Sequence, residues 1–95
     1  MNLNLNDKKV LITGASRGIG LAIAESFLEE GANTCLASRG SKELFLAEKK
    51  FQKNYGLERS FAFKCDCTNT NSLDQLKESI EHKWKNLDVV IINVG

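Results

Sequence analysis

Apolar residues follow two patterns that alternate along the chain. In one they form short continuous runs, and in the other they recur at helical spacing among polar residues. Short runs of apolar and β-branched residues predict four strands, at 9–13, 34–37, 60–65 and 89–92. Between these runs, apolar residues recur at helical spacing, which predicts three helices at about 19–30, 41–55 and 70–84. The order β-α-β-α-β-α-β indicates an α/β fold in which a doubly wound parallel sheet carries helices on its faces.

Each predicted helix has an apolar stripe that we expect to face the sheet. In the first helix the stripe comprises Ile19, Ala22, Ile23, Phe27 and Leu28. In the others it comprises Leu44, Ala47, Phe51 and Tyr55, then Leu73, Leu76, Ile80 and Trp84. The expected caps are Ser41 and either Thr70 or Asn71 at N-termini, with Gly31 and Gly56 at C-termini.

Right-handed crossovers between parallel strands predict the strand order 3-2-1-4. The first two helices then lie on one face and the third on the other, with a switch point between strands one and four where ligands bind. The run 89–92 is continuously apolar, as in strands buried on both faces, yet this order leaves it at an edge. We expect that the chain is the front part of a longer protein, a simpler explanation than a partner that covers the edge.

Length and composition restrict the class of protein. The 95 residues suffice for one domain, 1–95, and a net charge of +1 gives no reason to expect a nucleic-acid or membrane partner. Residues 1–7 lack the features of a signal peptide, so we expect a cytoplasmic protein. Cys35, Cys65 and Cys67, with a single histidine, suit neither a disulfide framework nor a metal site, and we expect buried or half-buried thiols.

A glycine-rich turn, Thr-Gly-Ala-Ser-Arg-Gly-Ile-Gly at 13–20, follows the first strand. Glycine lets the chain turn sharply, lets a phosphate approach the backbone and lets the next helix pack closely, while the helix N-terminus attracts a pyrophosphate. The spacing is TGxxxGxG, which is neither GxGxxG nor a P-loop. In this context the turn predicts a Rossmann-type dinucleotide site rather than simple turn chemistry. Its candidate ligands are Gly14, Ser16, Arg17, Gly18, Ile19 and Gly20.

The end of the second strand indicates which dinucleotide is bound. An acidic residue about 20 residues past the turn usually holds a ribose 2′-hydroxyl, but Ser38 and Arg39 occupy this position. Serine and guanidinium groups accept a 2′-phosphate, and Arg17 supplies a second positive charge. These residues favour NADP(H) over NAD(H). The alternative is that both arginines are ordinary solvated charges.

Three motifs in order, from about residue 7 onward, give the chain a resemblance to the short-chain dehydrogenases/reductases. Residues 13–20 resemble the cofactor loop of that family. Asp66 resembles its acidic residue that holds the adenine ring, with the backbone of Cys67 beside it.

The third motif, residues 88–95, resembles the strand that ends in Asn-Asn-Ala-Gly in that family. Asn93 and Gly95 keep the polar and small positions and are further cofactor-binding candidates. Ile92 and Val94 depart from the pattern, since they replace the first asparagine and the alanine.

The resemblance implies an oxidoreductase that transfers a hydride between a nicotinamide cofactor and a small-molecule carbonyl or alcohol substrate, as a homo-oligomer in its full-length form. The family's catalytic serine and Tyr-x-x-x-Lys pair lie beyond the end of this chain. Tyr55 is no substitute because the lysine is missing, so no catalytic residue is named. We expect the chain alone to be marginally stable and catalytically silent.

Two other functions stay open at this point. The chain could be a non-catalytic dinucleotide-binding module, such as a redox sensor, or a truncated remnant of such an enzyme. More weakly, the same sheet could bind another nucleotide, such as S-adenosylmethionine, although Arg17 and Arg39 then have no evident role.

Overall fold

The computed structural model describes residues 5–40 and 42–93. Strands and helices alternate along the chain as predicted. They are β1 (Lys9–Thr13), α1 (Gly18–Glu29), β2 (Asn33–Ser38), α2 (Lys42–Tyr55), β3 (Ser60–Lys64), α3 (Thr70–Lys83) and β4 (Val89–Ile91). Ser41, the expected cap of the second helix, lies outside the described residues.

The strands form one parallel sheet in the order β3-β2-β1-β4, which confirms the predicted order. β1 is central, with β2 on one side and β4 on the other. Because all the strands run in the same direction, their carboxyl ends meet at one edge of the sheet. The switch point of the topology lies at this edge, between β1 and β4.

Two apolar clusters cover the two faces of the sheet. On one face, α1 and α2 pack their buried residues against Val10, Ile12 and Leu36. On the other, α3 packs against the alternate strand residues, among them Leu11 and Phe61. The ring of Phe61 meets that of Trp84 edge to face, with the ring centres 5.0 Å apart. Trp84, Phe61 and the strand residues between them thus form the core on that face.

The rotation of α1 about its axis differs from the predicted stripe. Ile19 is 73% exposed and Ala22 is also exposed, so the prediction that both face the sheet is wrong. The buried residues of the helix are Gly20, Ala24 and Leu28. A Cβ on Gly20 would collide with the carbonyl oxygen of Gly14, so this side of the helix lies against the loop. Since successive helical residues are about 100° apart, a buried Gly20 turns Ile19 outward.

The start of α3 corrects two further predictions. Its N-cap is Asn69, whose Oδ1 accepts a hydrogen bond from the Ser72 amide at 3.0 Å, rather than Thr70 or Asn71. Leu73 is 41% exposed and does not continue the buried stripe of the helix. The buried residues of α3 are Leu76 and Ile80, so its buried stripe begins about one turn later.

The apolar run 89–92 is not buried on both faces within the described part of the chain. Val90 is 49% exposed and Ile92 is 71% exposed, as expected for a run that the predicted strand order leaves at an edge of the sheet. β4 lies at the end of the strand order, so one of its edges has no neighbouring strand among the described residues. The composition of the run therefore identified the strand, and the predicted strand order identified its position at the edge.

The cysteines differ in their exposure, and all of them are free thiols. Cys35 and Cys65 are buried as expected, whereas Cys67 is exposed because it lies in the turn after β3. Among residues 5–40 and 42–93, no group of His, Cys, Asp and Glu side chains could hold a metal ion. In the same ranges no helix is long and apolar enough to cross a membrane.

Candidate functional site

The glycine turn connects β1 to α1 at the carboxyl edge of the sheet, next to the switch point. Gly14 and Gly18 both have left-handed backbone conformations, with φ of 62° and 63°. A Cβ on Gly14 would collide with the backbone oxygen of Asn93, whereas a Cβ on Gly18 would meet no atom within 4 Å. The first glycine is therefore needed for close packing. The second leaves open space against bare backbone, as a bound phosphate requires.

Thr13 and Asn93 hold the turn to the end of β4. The Asn93 amide donates to Thr13 Oγ1 at 2.9 Å, and the threonine hydroxyl lies 3.2 Å from the Asn93 carbonyl oxygen, to which it donates. Asn93 Nδ2 also donates to the carbonyl oxygen of Gly14 at 3.1 Å. On the other side, the Ala15 amide donates to the Ala37 carbonyl at 3.3 Å. The turn is thus fixed by both strands that neighbour β1.

The N-terminus of α1 suits an anion. Arg17 occupies the N-cap in an extended conformation and makes no side-chain capping bond, and the first turn contains no acidic residue. The initial helical N–H groups and the positive end of the helix dipole are therefore not neutralised by a local carboxylate. The exposed Arg17 adds a full positive charge beside them.

The end of β2 lies beside the turn. Ser38 is buried and its Oγ accepts a hydrogen bond from the Gly40 amide at 3.2 Å, while Arg39 is exposed. A Cβ on Gly40 would lie 3.8 Å from Ser38 Oγ and 3.9 Å from Ser16 Oγ. The two predicted hydroxyls thus converge on the small residue Gly40, with the guanidinium group of the intervening arginine in solvent.

Asp66 follows β3 at the same edge. Its Oδ1 accepts hydrogen bonds from the Thr68 hydroxyl at 2.6 Å and the Thr68 amide at 3.0 Å. These bonds are the main cause that lowers the pKa of the Asp66 carboxyl, and the positive charge of Arg39 contributes in the same direction. The Cys65 amide donates to the Ser38 carbonyl at 2.8 Å, so the end of β3 is tied directly to the end of β2.

The structure brings the described candidate residues to one edge of the sheet, in three segments and the end of β4. These residues are Gly14, Ser16, Arg17, Gly18, Ile19, Gly20, Ser38, Arg39, Asp66, Cys67 and Asn93. Gly95 lies outside the described residues. Sequence reasoning missed Thr13 as the residue that holds Asn93, and Gly40 as the residue between the two hydroxyls. The position of Gly40 directly after Ser38 and Arg39 could have indicated that it belongs to the site. The hydrogen bond between Thr13 and Asn93 could not have been predicted from the sequence.

Comparisons with known proteins agree with this arrangement. The family model described as short chain dehydrogenase matches residues 8–95. A fatty acyl-CoA reductase of Acinetobacter baylyi is 36% identical over 92 residues, which are 97% of this chain and 30% of the reductase. A probable NADP-dependent mannitol dehydrogenase of Yarrowia lipolytica is also 36% identical over 92 residues, 97% of this chain and 32% of that protein.

Solved structures give the same result. The L-sorbose reductase of Gluconobacter frateurii, complexed with NADPH and L-sorbose, superposes with a TM-score of 0.93 at 33% identity. The match covers all of this chain and 36% of the reductase. A short chain dehydrogenase/reductase of Burkholderia phymatum, solved with NAD, has a TM-score of 0.85 at 19% identity over 93% of this chain and 31% of its own, and so shows the fold alone.

The chain spans about a third of the length of these relatives. The matched part contains the sheet and the glycine turn that build the candidate site. With a family model that covers nearly the whole chain and a sheet of the same topology, the chain belongs to the short-chain dehydrogenase/reductase family of oxidoreductases.

Proposed function

We propose that this chain is the NADP(H)-binding part of an oxidoreductase that transfers a hydride between the nicotinamide and a small-molecule carbonyl or alcohol substrate. The observation that carries the proposal is the end of β2. Ser38 and Arg39 stand there in place of a carboxylate, within reach of the glycine turn through Gly40 and Ser16. This arrangement suits a phosphate on the adenosine ribose better than a free 2′-hydroxyl.

The rest of the cofactor follows from the geometry of the turn. The pyrophosphate lies over Gly18 and the N-terminus of α1, where the backbone is open and no acidic side chain opposes an anion. Arg17 and Arg39 hold the 2′-phosphate, with Ser16 and Ser38 as hydroxyl ligands. Two relatives described above, one named NADP-dependent and one complexed with NADPH, support NADP(H) rather than NAD(H).

Three further segments complete the proposed site. The adenine ring lies against Asp66 and the backbone of Cys67, at the end of β3. Ile19, Gly14 and Gly20 form the turn on the nicotinamide side, and Asn93 holds its position. Gly95 is proposed to belong to the same strand end. The arrangement of these residues orients the cofactor along the carboxyl edge of the sheet.

The bound cofactor supplies the hydride chemistry, and the residues of this chain bind and orient it. Acid–base groups are not assigned to any residue of the chain. We also propose that the protein is cytoplasmic and that its full-length form is a homo-oligomer. The substrate is a small molecule, as in the sorbose reductase complex.

The cofactor assignment is tested by titrating the purified chain with NADPH and NADH, following cofactor fluorescence. Arg39→Asp should weaken NADPH binding by about tenfold or more, the value of a lost charge-assisted hydrogen bond, and leave NADH binding nearly unchanged. Lys53→Asp is the matched control, because it makes the same charge change on an exposed residue in the last turn of α2, at the other edge of the sheet. Circular dichroism confirms that each variant is folded.

Equal losses for NADPH and NADH in Arg39→Asp would overturn the role of this arginine in reading the 2′-phosphate. If the folded, unsubstituted chain binds neither cofactor, the proposed function itself is wrong. Preferential loss of NADPH binding in Arg39→Asp, but not in Lys53→Asp, supports it.

A further inference from the structure

Lys64 is the last residue of β3, at the same edge of the sheet as the candidate site. In the parallel register it is paired with Ser38, the last residue of β2. The amide of the following residue, Cys65, donates to the Ser38 carbonyl at 2.8 Å. Because neighbouring strands lie about 4.8 Å apart, the backbone of Lys64 is directly beside that of Ser38.

The side chains of Lys64 and Ser38 project from the same face of the sheet. Leu36 packs in the cluster beneath α1 and α2, and so does Ala62. Ser38 and Lys64 follow these two residues by two positions in their strands, and side chains two positions apart share a face. Ser38 is buried, whereas Lys64 is exposed. The ammonium group of Lys64 therefore stands on the α1 and α2 side of the sheet, next to the serine that ends β2.

The glycine turn flanks Ser38 from the opposite side. β2 lies between β1, which leads into the turn, and β3, which ends at Lys64. A Cβ on Gly40 would lie 3.8 Å from Ser38 Oγ and 3.9 Å from Ser16 Oγ, so the two hydroxyls meet in one small region. An anion in this region has the turn and its Arg17 on the β1 side and Lys64 on the β3 side.

We propose that the ammonium group of Lys64 binds the 2′-phosphate of NADP(H) from the β3 side, as a third basic group that selects NADP(H) over NAD(H). This role rests on the proposed function, in which Arg17 and Arg39 are the other two basic groups. A phosphate monoester carries a charge of about −1.5 to −2 at pH 7 and has three acceptor oxygens, so three cations can bind it together. The uncharged 2′-hydroxyl of NAD(H) gives Lys64 no comparable partner.

A lysine suits this position because its charge lies at the end of a flexible four-carbon stem and does not need the planar geometry of a guanidinium group. Two ordinary roles of an exposed lysine compete with phosphate binding. One is to keep an edge strand from pairing with another sheet. The other is an ion pair with Glu48 of α2, whose Oε2 accepts a hydrogen bond from the Ala62 amide at 2.7 Å. Neither role distinguishes NADPH from NADH.

The test compares the cofactor affinities of folded variants of the chain. Lys64→Gln removes the charge and should weaken NADPH binding by about three- to fivefold, the upper part of the range for an exposed ion pair, with NADH binding unchanged. Lys64→Arg keeps the charge and should bind both cofactors normally. Lys53→Gln is the matched control, since it removes the same charge from an exposed residue in the last turn of α2. Adenosine 2′,5′-bisphosphate and adenosine 5′-monophosphate, which differ only in the 2′-phosphate, should show the same contrast.

Acetylation of lysines, followed by peptide mass mapping, gives a second readout at the residue itself. Saturating NADPH should slow the acetylation of Lys64, because the phosphate engages its ammonium group. Saturating NADH should leave the rate unchanged, and Lys53 should react at the same rate in all three conditions.

Selective loss of NADPH affinity in Lys64→Gln, its recovery in Lys64→Arg and protection by NADPH alone support the proposal. If the unsubstituted chain binds NADPH but Lys64→Gln keeps the same ratio of NADPH to NADH affinity, the role of Lys64 is wrong and the proposed function stands. A loss of stability in Lys64→Gln without a change in that ratio also overturns it, and identifies the ion pair with Glu48 instead. If the unsubstituted chain does not bind NADPH, the proposed function fails and the role of Lys64 fails with it.

Discussion

Thr13 Oγ1 accepts a hydrogen bond from the Asn93 amide at 2.9 Å, which joins two residues 80 positions apart in the sequence. The bond connects the last residue of β1 to the chain just after β4, and the side chain of Asn93 continues from there to Gly14. The shape of the glycine turn therefore depends on the end of β4 as well as on its own residues. Stability and cofactor affinity should respond together when this connection is removed.

Thr13→Val keeps the shape of the side chain and removes the hydroxyl. We expect a loss of about 1–2 kcal/mol in the free energy of unfolding, because the partly buried Asn93 amide loses its acceptor. NADPH affinity should also fall. The control is Thr34→Val, which removes a similar hydroxyl that bonds Ser60 Oγ at 3.2 Å within the sheet. Urea denaturation should show a loss of stability in both variants, whereas NADPH titration should show a loss of affinity only in Thr13→Val. Equal NADPH affinities in the two variants would contradict the role of Thr13 in shaping the glycine turn.

The loop glycines should respond differently to the same substitution. Gly14→Ala places a methyl group against the Asn93 backbone and strains a left-handed residue, so we expect a loss of about 3 kcal/mol or more in the free energy of unfolding. Gly18→Ala carries only the strain, about 1 kcal/mol, because no atom lies near its new methyl group.

Gly18→Ala should nevertheless weaken NADPH binding, because the methyl group occupies the space proposed for the pyrophosphate. Urea denaturation ranks the two variants by stability, and NADPH titration of the folded Gly18→Ala chain measures the affinity. A Gly18→Ala chain that is as unstable as Gly14→Ala, or that binds NADPH normally, would show that the open space has another role.

The spacing of apolar residues and the handedness of the crossovers were enough to predict the strand order. They also predicted that the site segments lie at one edge of the sheet. The details that failed depend on contacts between distant residues. Ile19 faces solvent because Gly20 is held against Gly14. The spacing of apolar residues does not predict that contact. Asn69 caps α3 because the turn from Asp66 places its side chain over the Ser72 amide. Neighbouring Thr70 had an equally suitable side chain, so composition alone did not decide between them.

The pKa of Asp66 provides a local measure of the turn after β3. Thr68→Val removes the hydroxyl, which is the largest cause of the lowered pKa, so the pKa of Asp66 should rise towards its usual range. Because the pKa is lowered in the folded chain, the Thr68 bonds stabilise the fold above the ordinary aspartate pKa. This stabilisation is lost as the pH falls through the lowered value. Carbon-13 NMR titration of the carboxyl measures the shift, and Thr70→Val, an exposed threonine nearby, should leave it unchanged.

Arg59 joins the end of α1 to the start of β3, at the edge of the sheet opposite the candidate site. Its Nη2 donates to the carbonyl oxygens of Ala32 at 2.8 Å and Leu28 at 3.1 Å, and its Nε lies 3.3 Å from the Ala32 oxygen. The guanidinium group thus satisfies the Leu28 carbonyl in the last turn of α1 and the Ala32 carbonyl just before β2, and it opposes the negative end of the helix dipole.

Arg59→Ala should therefore lower the free energy of unfolding by about 1.5–3 kcal/mol, the range for hydrogen bonds from a charged donor. Arg59→Lys should recover only part of this loss, because an ammonium group cannot reproduce the planar arrangement of donors. Lys53→Ala, on an exposed face of α2, should change stability by less than about 0.5 kcal/mol. Urea denaturation measures all three, and NADPH titration should give the same affinity for each folded variant, since Arg59 contacts none of the site segments. A full rescue by lysine would mean that the positive charge alone, and not the paired hydrogen bonds, stabilises the end of α1.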